Sequence, residues 1–264
     1  MIIDGSKVAE KLELELSNKV GNLVLRPKIV SILVGEDPAS LLYSRLKEKT
    51  AERVGIKFEI VKIPFADKAE LTNLVRQLSG RSEVTGVMLQ LPIPNISGEE
   101  LNQVIATIPL TKDVDGMRWA ESGVMPATVR AVITLLAKIE SDTQDSLVNK
   151  KVVVVGARGA VGRTLVYYLM KLGYSQVIEV EWDTVNQAEI IRSGEVVISC
   201  TGKMGLISAE MIQPSAIVID VGAPRGDMTK DVYEKASVAV PVPNGVGPVT
   251  IAMLMTNAVD LVVK

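Results

Sequence analysis

Tyr43 and Lys47 are the first two side chains whose types and spacing suit acid–base chemistry. They are four residues apart, so a helix would place both on one face. Ser40 lies one turn before Tyr43 on the same side, where it could also cap that helix. A lysine whose pKa is lowered by burial can exchange protons near neutral pH, and a tyrosine can orient a substrate or the lysine. Taken alone, the pair is a weak signal and fits an exposed lysine beside a half-buried tyrosine better than a catalytic pair.

The composition limits the other chemistry that is open to the chain. Its 264 residues include no histidine and one cysteine, Cys200. Catalysis by Ser-His-Asp or Cys-His, histidine-ligated metals, multi-cysteine zinc sites and an intrachain disulfide are therefore excluded, and no metal site is expected. A formal charge of -2 provides no general attraction for nucleic acid or an anionic membrane, so neither is expected as a partner.

Three glycines suggest a second site, one for binding rather than for proton transfer. Gly156, Gly159 and Gly162 stand between an apolar strand over 152–155 and a predicted helix over 161–172. Small residues there let the backbone approach a phosphate, and the helix N-terminus supplies N–H donors. The spacing is GxxGxxG rather than the usual GxGxxG, so the pattern predicts either dinucleotide binding or a tight strand-to-helix turn.

The end of the next strand bears on the choice of dinucleotide. Glu181 and Asp183 could accept hydrogen bonds from a ribose 2′-hydroxyl, as in NAD, and would repel the 2′-phosphate of NADP. Arg158 favours the opposite choice, because a guanidinium can pair with a phosphate. Two carboxylates against one arginine favour NAD. The full set of predicted cofactor-binding residues is Gly156, Ala157, Arg158, Gly159, Gly162, Glu181, Asp183, Thr201, Gly202 and Ala223.

Short apolar runs that alternate with amphipathic segments predict parallel sheets covered by helices, in two domains. The predicted strands are 28–34, 58–63, 86–89, 152–155, 177–180, 196–200, 217–221 and 238–240. The predicted helices are 6–20, 40–54, 67–78, 98–105, 161–172 and one that begins near Pro248. The second series is Rossmann-like, and the periodic pattern lapses between Met117 and Thr128, where we expect the domains to meet.

One stretch needs to be tested as a membrane span. Residues 236–259 include no charged residue, but Pro241, Pro243 and Pro248 interrupt them, together with two glycines. They are therefore predicted to form a buried strand, a loop and a helix. The N-terminus lacks the apolar stretch of a signal peptide, and a soluble, cytoplasmic protein is expected.

Four further segments give these residues a family context. They are VGEDPAS over 34–40, QLP over 90–92, KDVDG over 112–116 and PVPNGVGPVT over 241–250. In this order, together with Tyr43 and Lys47, they resemble the methylenetetrahydrofolate dehydrogenase/methenyltetrahydrofolate cyclohydrolase family over essentially the whole chain. The segments are specific jointly, although each alone is not.

The resemblance implies a role for each matching residue. Lys47 matches the catalytic lysine of the cyclohydrolase step, Gln90 the glutamine that sets its protonation, and Tyr43 the tyrosine along the folate ring. Asp115 matches the aspartate that recognises the pterin edge, and Ser40 a serine of the same pocket. The loop that closes over substrate and nicotinamide matches Gly245, Val246, Gly247 and Pro248.

It also implies the architecture. The expected fold is α/β with two domains and a cleft between them: a three-layer α/β substrate domain over 1–118 plus 249–264, and a Rossmann-like dinucleotide-binding domain over 119–248. A homodimer, a tetrahydrofolate derivative as substrate and NAD or NADP as cofactor follow from the same resemblance.

The departures from the family lie mostly in the second half. The family glycine loop reads GRSxxVG and its Arg-Ser holds the NADP 2′-phosphate, whereas Ala157 and Arg158 stand here. The strand end His-Ser-Arg/Lys-Thr reads Glu-Trp-Asp-Thr over 181–184, and Asn244 replaces a glycine, at a position where asparagine tolerates a positive φ.

These changes favour NAD and leave three alternatives: a cyclohydrolase with a weak or lost dehydrogenase activity, an idle folate- or nucleotide-binding protein, and a different two-domain NAD(P) dehydrogenase, such as one resembling shikimate dehydrogenase.

Overall fold

The structure is a computed structural model that describes residues 1–263, and its backbone contacts divide the chain into two compact units. The lysine unit contains residues 10–127 and the C-terminal segment from Ile251. The glycine-loop unit contains residues 1–9 and 128–250. The helices are α1 (Gly5–Gly21), α2 (Pro38–Val54), α3 (Lys68–Ser79), α4 (Gly98–Ile105), α5 (Trp119–Ser122), α6 (Ala127–Thr143), α7 (Ala160–Lys171), α8 (Gln187–Arg192), α9 (Lys230–Lys235) and α10 (Val246–Val263). The strands are β1 (Lys28–Val34), β2 (Lys57–Ile63), β3 (Gly86–Gln90), β4 (Lys151–Val155), β5 (Gln176–Val180), β6 (Val196–Ser199), β7 (Ile217–Asp220) and β8 (Val238–Val240).

A parallel three-stranded sheet in the order β2-β1-β3 forms the centre of the lysine unit. Every residue of β1 after Lys28 is buried, because helices cover both faces of the sheet. On one face Val30, Ile32 and Val34 pack with apolar residues of α3 and α4. Helix α2 packs beside β1 and β2. The three layers expected from the sequence are therefore confirmed.

The glycine-loop unit contains a parallel five-stranded sheet in the order β5-β4-β6-β7-β8. The chain runs outward from β4 in both directions, to β5 on one side and to β6 on the other. The loops that follow β4 and β6 therefore leave the sheet at its switch point, which is where open α/β sheets bind ligands. This order confirms the Rossmann-like prediction.

The N-terminal residues pair with the glycine-loop unit, although the sequence had suggested the other domain. Ile3 N donates to Ala239 O at 2.9 Å, and Ala239 N donates to Met1 O at 2.9 Å. The first residues thus lie along β8, and their backbone hydrogen bonds place residues 1–9 in this unit. The side chains of these residues do not predict such a pairing, because its hydrogen bonds involve only main-chain atoms.

Helices α5, α6, α8 and α9 were not predicted. Helix α10 begins at Val246, two residues before the predicted start. It is the one helix within residues 1–263 that is long and apolar enough to cross a membrane, and 56% of it is buried in the protein, which is typical of a core helix.

Candidate active site

Asp37, rather than Ser40, caps the helix that carries the candidate lysine. Its carboxylate accepts a hydrogen bond from Ser40 N at 2.7 Å, and Pro38 occupies the first helical position, so α2 begins two residues earlier than expected. The interpretation of Ser40 as the cap was therefore wrong. The Ser40 hydroxyl instead points to Leu91 O, 3.4 Å away, just after the end of β3.

Lys47 and Gln90 meet across this end of β3. Lys47 Nζ donates to Gln90 Oε1 at 2.8 Å, and Gln90 Nε2 donates to Leu91 O at 3.0 Å. The second hydrogen bond orients the amide so that its oxygen faces the lysine. Gln90 is only 8% exposed, while Lys47 is half-buried. The contact expected between these two side chains is present, and it joins residues 43 positions apart in the chain.

The environment of Lys47 shifts the pKa of its amino group towards neutral pH. Burial lowers the pKa of Lys47, and the negative charge of Asp115 opposes that shift only in part. Burial raises the pKa of Asp115 to about 6. The negative charge of Asp113 adds to this rise, and the positive charge of Lys47 opposes it. Two titratable groups with shifted pKa values in one place are typical of a catalytic site. Tyr43, half-buried one turn before Lys47, belongs to the same helix.

Asp113, which the sequence did not single out, holds the loop that carries Asp115. Its buried carboxylate accepts hydrogen bonds from Met117 N and Arg118 N at 2.9 Å each and from Ser122 Oγ at 2.8 Å. The two aspartates of KDVDG therefore differ in kind. Asp113 uses its oxygens for hydrogen bonds to the local backbone and to the Ser122 hydroxyl, whereas the charge of Asp115 interacts with that of Lys47.

Asn257 fixes the same loop from α10. Its Nδ2 donates to Val114 O and Met125 O, each at 3.0 Å. Gly116 adopts a φ of +68°, and a Cβ there would lie 2.6 Å from Pro126 N, so only glycine fits. The signal for Asn257 was a buried polar residue in an otherwise apolar helix, and sequence reasoning missed it.

The glycine loop of the other unit follows β4 as expected. Gly156 has a φ of +81°, and a Cβ on Gly162 would lie 2.2 Å from Gly156 O, so the first turn of α7 packs directly on the loop. Gly159 occupies the N-cap position of this twelve-residue helix. Free N–H groups at such a helix end form an anion site, so the loop suits a pyrophosphate.

Charged side chains beside this loop pair with one another. Arg158 Nη1 donates to Asp183 Oδ2 at 2.9 Å, and the carboxylate of Glu181 accepts from the backbone N–H of Arg158. The hydrogen bond from Arg158 lowers the pKa of Asp183. The arginine that was the candidate for a 2′-phosphate is thus already bound by an acidic neighbour.

The remaining predicted residues fall in three places of the glycine-loop unit. Thr201 N and Gly202 N donate to Asp227 Oδ2 after β6, and Ala223 is exposed after β7. Gly245 is buried where a Cβ would lie 2.3 Å from Pro241 O, and Asn244 has the expected positive φ, +69°. Val246 and Pro248 lie in the first turn of α10. Within residues 1–263, no cluster of acidic or cysteine side chains could hold a metal ion.

Two family models together match most of the chain. Residues 3–115 match the catalytic domain of tetrahydrofolate dehydrogenase/cyclohydrolase, and residues 126–264 match its NAD(P)-binding domain. The chain belongs to this family. It therefore has the catalytic and the NAD(P)-binding domain of a bifunctional enzyme, and the alternatives outside the family are not supported.

Similar proteins agree with this assignment. The chain is 36% identical to the bifunctional protein FolD of Heliobacterium modesticaldum, over 97% of this chain and 93% of that one. Its fold matches that of the bifunctional enzyme FolD from Campylobacter jejuni with a TM-score of 0.90 and 32% identity, over 99% and 98% of the two chains. A Trypanosoma brucei methylenetetrahydrofolate dehydrogenase-cyclohydrolase, whose structure contains NADP and an inhibitor, matches with a TM-score of 0.88 and 29% identity, over 99% and 97%.

Proposed function

We propose that this protein oxidises methylenetetrahydrofolate to methenyltetrahydrofolate with a nicotinamide dinucleotide and hydrolyses the product to formyltetrahydrofolate. The observation that carries the proposal is the half-buried Lys47, with a lowered pKa, hydrogen-bonded to the buried Gln90. This is the arrangement that proton transfer near neutral pH requires, and family membership names the substrate class.

In the hydrolytic step, Lys47 is the proton carrier. A water oxygen forms a bond to the methenyl carbon, and its proton passes to the neutral Nζ. The bond between that carbon and one ring nitrogen then breaks as the carbinol O–H becomes the formyl C=O and releases its proton to solvent, and the nitrogen takes the proton back from Nζ. Gln90 holds Nζ in place through its 2.8 Å hydrogen bond and, as a neutral partner, does not stabilise the ammonium form as a carboxylate would.

Asp115 and Tyr43 are the folate-recognition residues in this proposal. A half-buried carboxylate suits the donor edge of an aminopterin, and an aromatic ring suits its flat face. Ser40 lies against the end of β3 with Gln90 and contributes to the same pocket. The ionised Asp115 would regain, from the pterin N–H groups, hydrogen bonds that its burial removes.

The glycine-loop unit fits a dinucleotide. Gly156 and Gly162 leave no room for a Cβ, so the backbone itself faces the site, and α7 offers the N–H groups of its first turn. A nicotinamide dinucleotide bound there would supply the hydride acceptor of the oxidative step. The residues proposed to hold it are those predicted from the sequence, from the glycine loop to Ala223. Gly245, Val246 and Pro248, at the start of α10, remain proposed substrate-binding residues.

We further propose that NAD is preferred over NADP. Glu181 stands where a ribose 2′-hydroxyl would find an acceptor, and Arg158 is paired with Asp183 at 2.9 Å instead of being free for a phosphate. Calorimetric titration of the two dinucleotides tests this preference. Tighter binding of NAD is expected, and tighter binding of NADP would contradict it.

A homodimer built on the glycine-loop unit is the proposed assembly. Strand β5 lies at the edge of its sheet, and exposed apolar side chains occur on α7, at its C-cap and after β5. These are Tyr167, Met170, Leu172, Trp182 and Val185. Sedimentation velocity should give a mass near twice 28.4 kDa, whereas a monomer at micromolar concentration would refute the assembly.

We place the protein in the cytoplasm, as its one cysteine suggests, and cell fractionation tests that location.

A paired assay tests the bifunctional activity. Methenyltetrahydrofolate hydrolysis is followed without dinucleotide, and methylenetetrahydrofolate oxidation is followed with NAD and with NADP. Both reactions are expected, the second faster with NAD. Hydrolysis without oxidation by either dinucleotide would reduce the protein to a cyclohydrolase, and the absence of both would overturn the proposal.

A further inference from the structure

Two buried carboxylates of the glycine-loop unit have no part in the proposed reactions. Asp220 ends β7, Asp227 lies seven residues later, and both are 0% exposed. Asp227 Oδ2 accepts three hydrogen bonds, from Ser199 Oγ at 2.8 Å, Thr201 N at 2.7 Å and Gly202 N at 3.2 Å. One carboxylate oxygen thus fixes the chain where it leaves β6.

Asp220 extends this network to the loop before α10. Its Oδ1 accepts from Gly222 N at 2.8 Å and from Asp227 N at 3.0 Å. Its Oδ2 accepts from Met228 N at 2.8 Å and from the Tyr233 hydroxyl at 2.6 Å. The Tyr233 oxygen in turn accepts from Val242 N at 3.4 Å. The two carboxylates therefore connect the loops after β6, β7 and β8.

The backbone packs directly on these carboxylates. A Cβ on Gly222 would lie 2.6 Å from Asp227 Oδ1, and a Cβ on Gly226 would lie 2.6 Å from Asp220 Oδ2. No side chain fits between the loop and the acids. The conformation of the loop over 222–228 is consequently determined by the network and not by the chain alone.

Stability alone does not explain a carboxylate at position 227. Its Oδ1 is buried and has no hydrogen-bond partner among the residues that the structure describes. A buried acceptor without a partner costs free energy. The Asp227 carboxylate lies next to the ligand-binding edge of the sheet. The backbone that it positions there is the best explanation for a group with this energetic cost.

The backbone that it positions touches the glycine loop. A Cβ on Gly156 would lie 3.0 Å from the backbone carbon of Cys200 and 3.1 Å from Thr201 Cα. The loops after β4 and β6 therefore form one surface at the switch point of the sheet. A change in the backbone conformation of residues 200–202 would therefore alter the whole surface proposed to bind the dinucleotide.

We propose that Asp227, supported by Asp220 and Tyr233, is the positioning residue of the dinucleotide site: its Oδ2 holds the Thr201–Gly202 backbone in the conformation that binds the cofactor. This inference rests on the proposed use of a dinucleotide and assigns the acid no contact with the cofactor itself.

The test is calorimetric titration of NAD into the wild-type protein and the D227N variant. Asparagine keeps the size of the side chain but replaces charge-assisted hydrogen bonds with weaker neutral ones, so the Kd should rise about tenfold. Methenyl hydrolysis, which uses no dinucleotide, should stay unchanged. Asp231→Asn, an exposed acid on α9, is the matched control and should leave both values as they are.

A second variant covers the case in which D227N does not fold. Tyr233→Phe removes one hydroxyl from the far end of the network and should weaken NAD binding about threefold, again without changing hydrolysis. An unchanged Kd in a folded variant, or hydrolysis that falls in step with NAD binding, would overturn the positioning role. If the wild-type protein itself bound neither dinucleotide, the proposed function would fail instead.

Discussion

The two units treat charge in opposite ways. In the lysine unit, Lys47 and Asp115 are half-buried, and each has a pKa shifted towards neutrality, because burial outweighs the attraction between them. Beside the glycine loop, Arg158 and Asp183 are exposed, and each stabilises the charged form of the other.

The difference separates chemistry from recognition. A side chain that must exchange a proton needs a protonation state that is easily changed, and burial with a neutral partner such as Gln90 provides it. A side chain that must discriminate between two dinucleotides needs a constant charge, and a surface ion pair provides that at a small energetic contribution.

Replacement of Lys47 should give the largest effect. Lys47→Met removes the proposed proton carrier and should slow methenyl hydrolysis by about a hundredfold or more, the usual scale of a lost general base. The loss is measured from the absorbance of the methenyl compound. Lys49→Met, an exposed lysine on the same helix, is the control. Hydrolysis by the Lys47 variant at the wild-type rate would end the role assigned to this residue.

Removal of the two carboxylates beside the glycine loop should have an intermediate effect. In the double variant Glu181→Gln, Asp183→Asn, Arg158 loses its acidic partner and becomes available to a 2′-phosphate, so NADP should bind about tenfold more tightly. Calorimetry measures the change, and Glu189→Gln on α8 serves as the control. If NADP bound no better, recognition would not depend on this pair.

Asp115→Asn should have the smallest of the three effects, and we expect to see it in the stability of the folded protein. The pKa of Asp115 in the folded protein, about 6, is above the ordinary 3.8, so the folded state binds this proton more tightly than the unfolded state does. Above pH 6 the ionised carboxylate therefore opposes folding. The variant without ligand should melt a few degrees higher at about pH 7.5, and the difference should shrink at about pH 5. A lower melting temperature at the higher pH would contradict the shift.

Much of the fold follows from local patterns. The runs of β-branched residues in β1 and β8 predicted their bounds, and α3 was predicted to within one residue at each end. The reciprocal hydrogen bonds of Asp67 and Glu70 explain where α3 begins. Helix α6 was missed because it begins directly after Pro126, where the pattern suggested only a domain boundary. The six-residue helices α8 and α9 are too short for periodicity to be recognised.

The residues of the candidate site also fall into those that the sequence could predict and those that it could not. The meeting of Lys47 and Gln90 could be predicted, since both belong to motifs with a joint order in the chain. The roles of Asp113, Asn257 and Asp227 could not, because most of their partners are main-chain groups that any residue carries. A buried carboxylate bound to backbone N–H groups leaves no pattern in the partner sequence.

The pH dependence of methenyl hydrolysis, measured for the wild-type protein and for Gln90→Glu, tests most directly whether Lys47 acts as a base with a lowered pKa. In the proposed mechanism the neutral amine is the active form, so the wild-type rate should rise with pH and level off below the ordinary lysine pKa of 10.5. A carboxylate 2.8 Å from Nζ, in place of the amide oxygen, stabilises the ammonium and raises the pKa of Lys47, so the rise should move to higher pH. A profile that does not move, or that moves to lower pH in a folded variant, would contradict the assignment of proton transfer to this lysine.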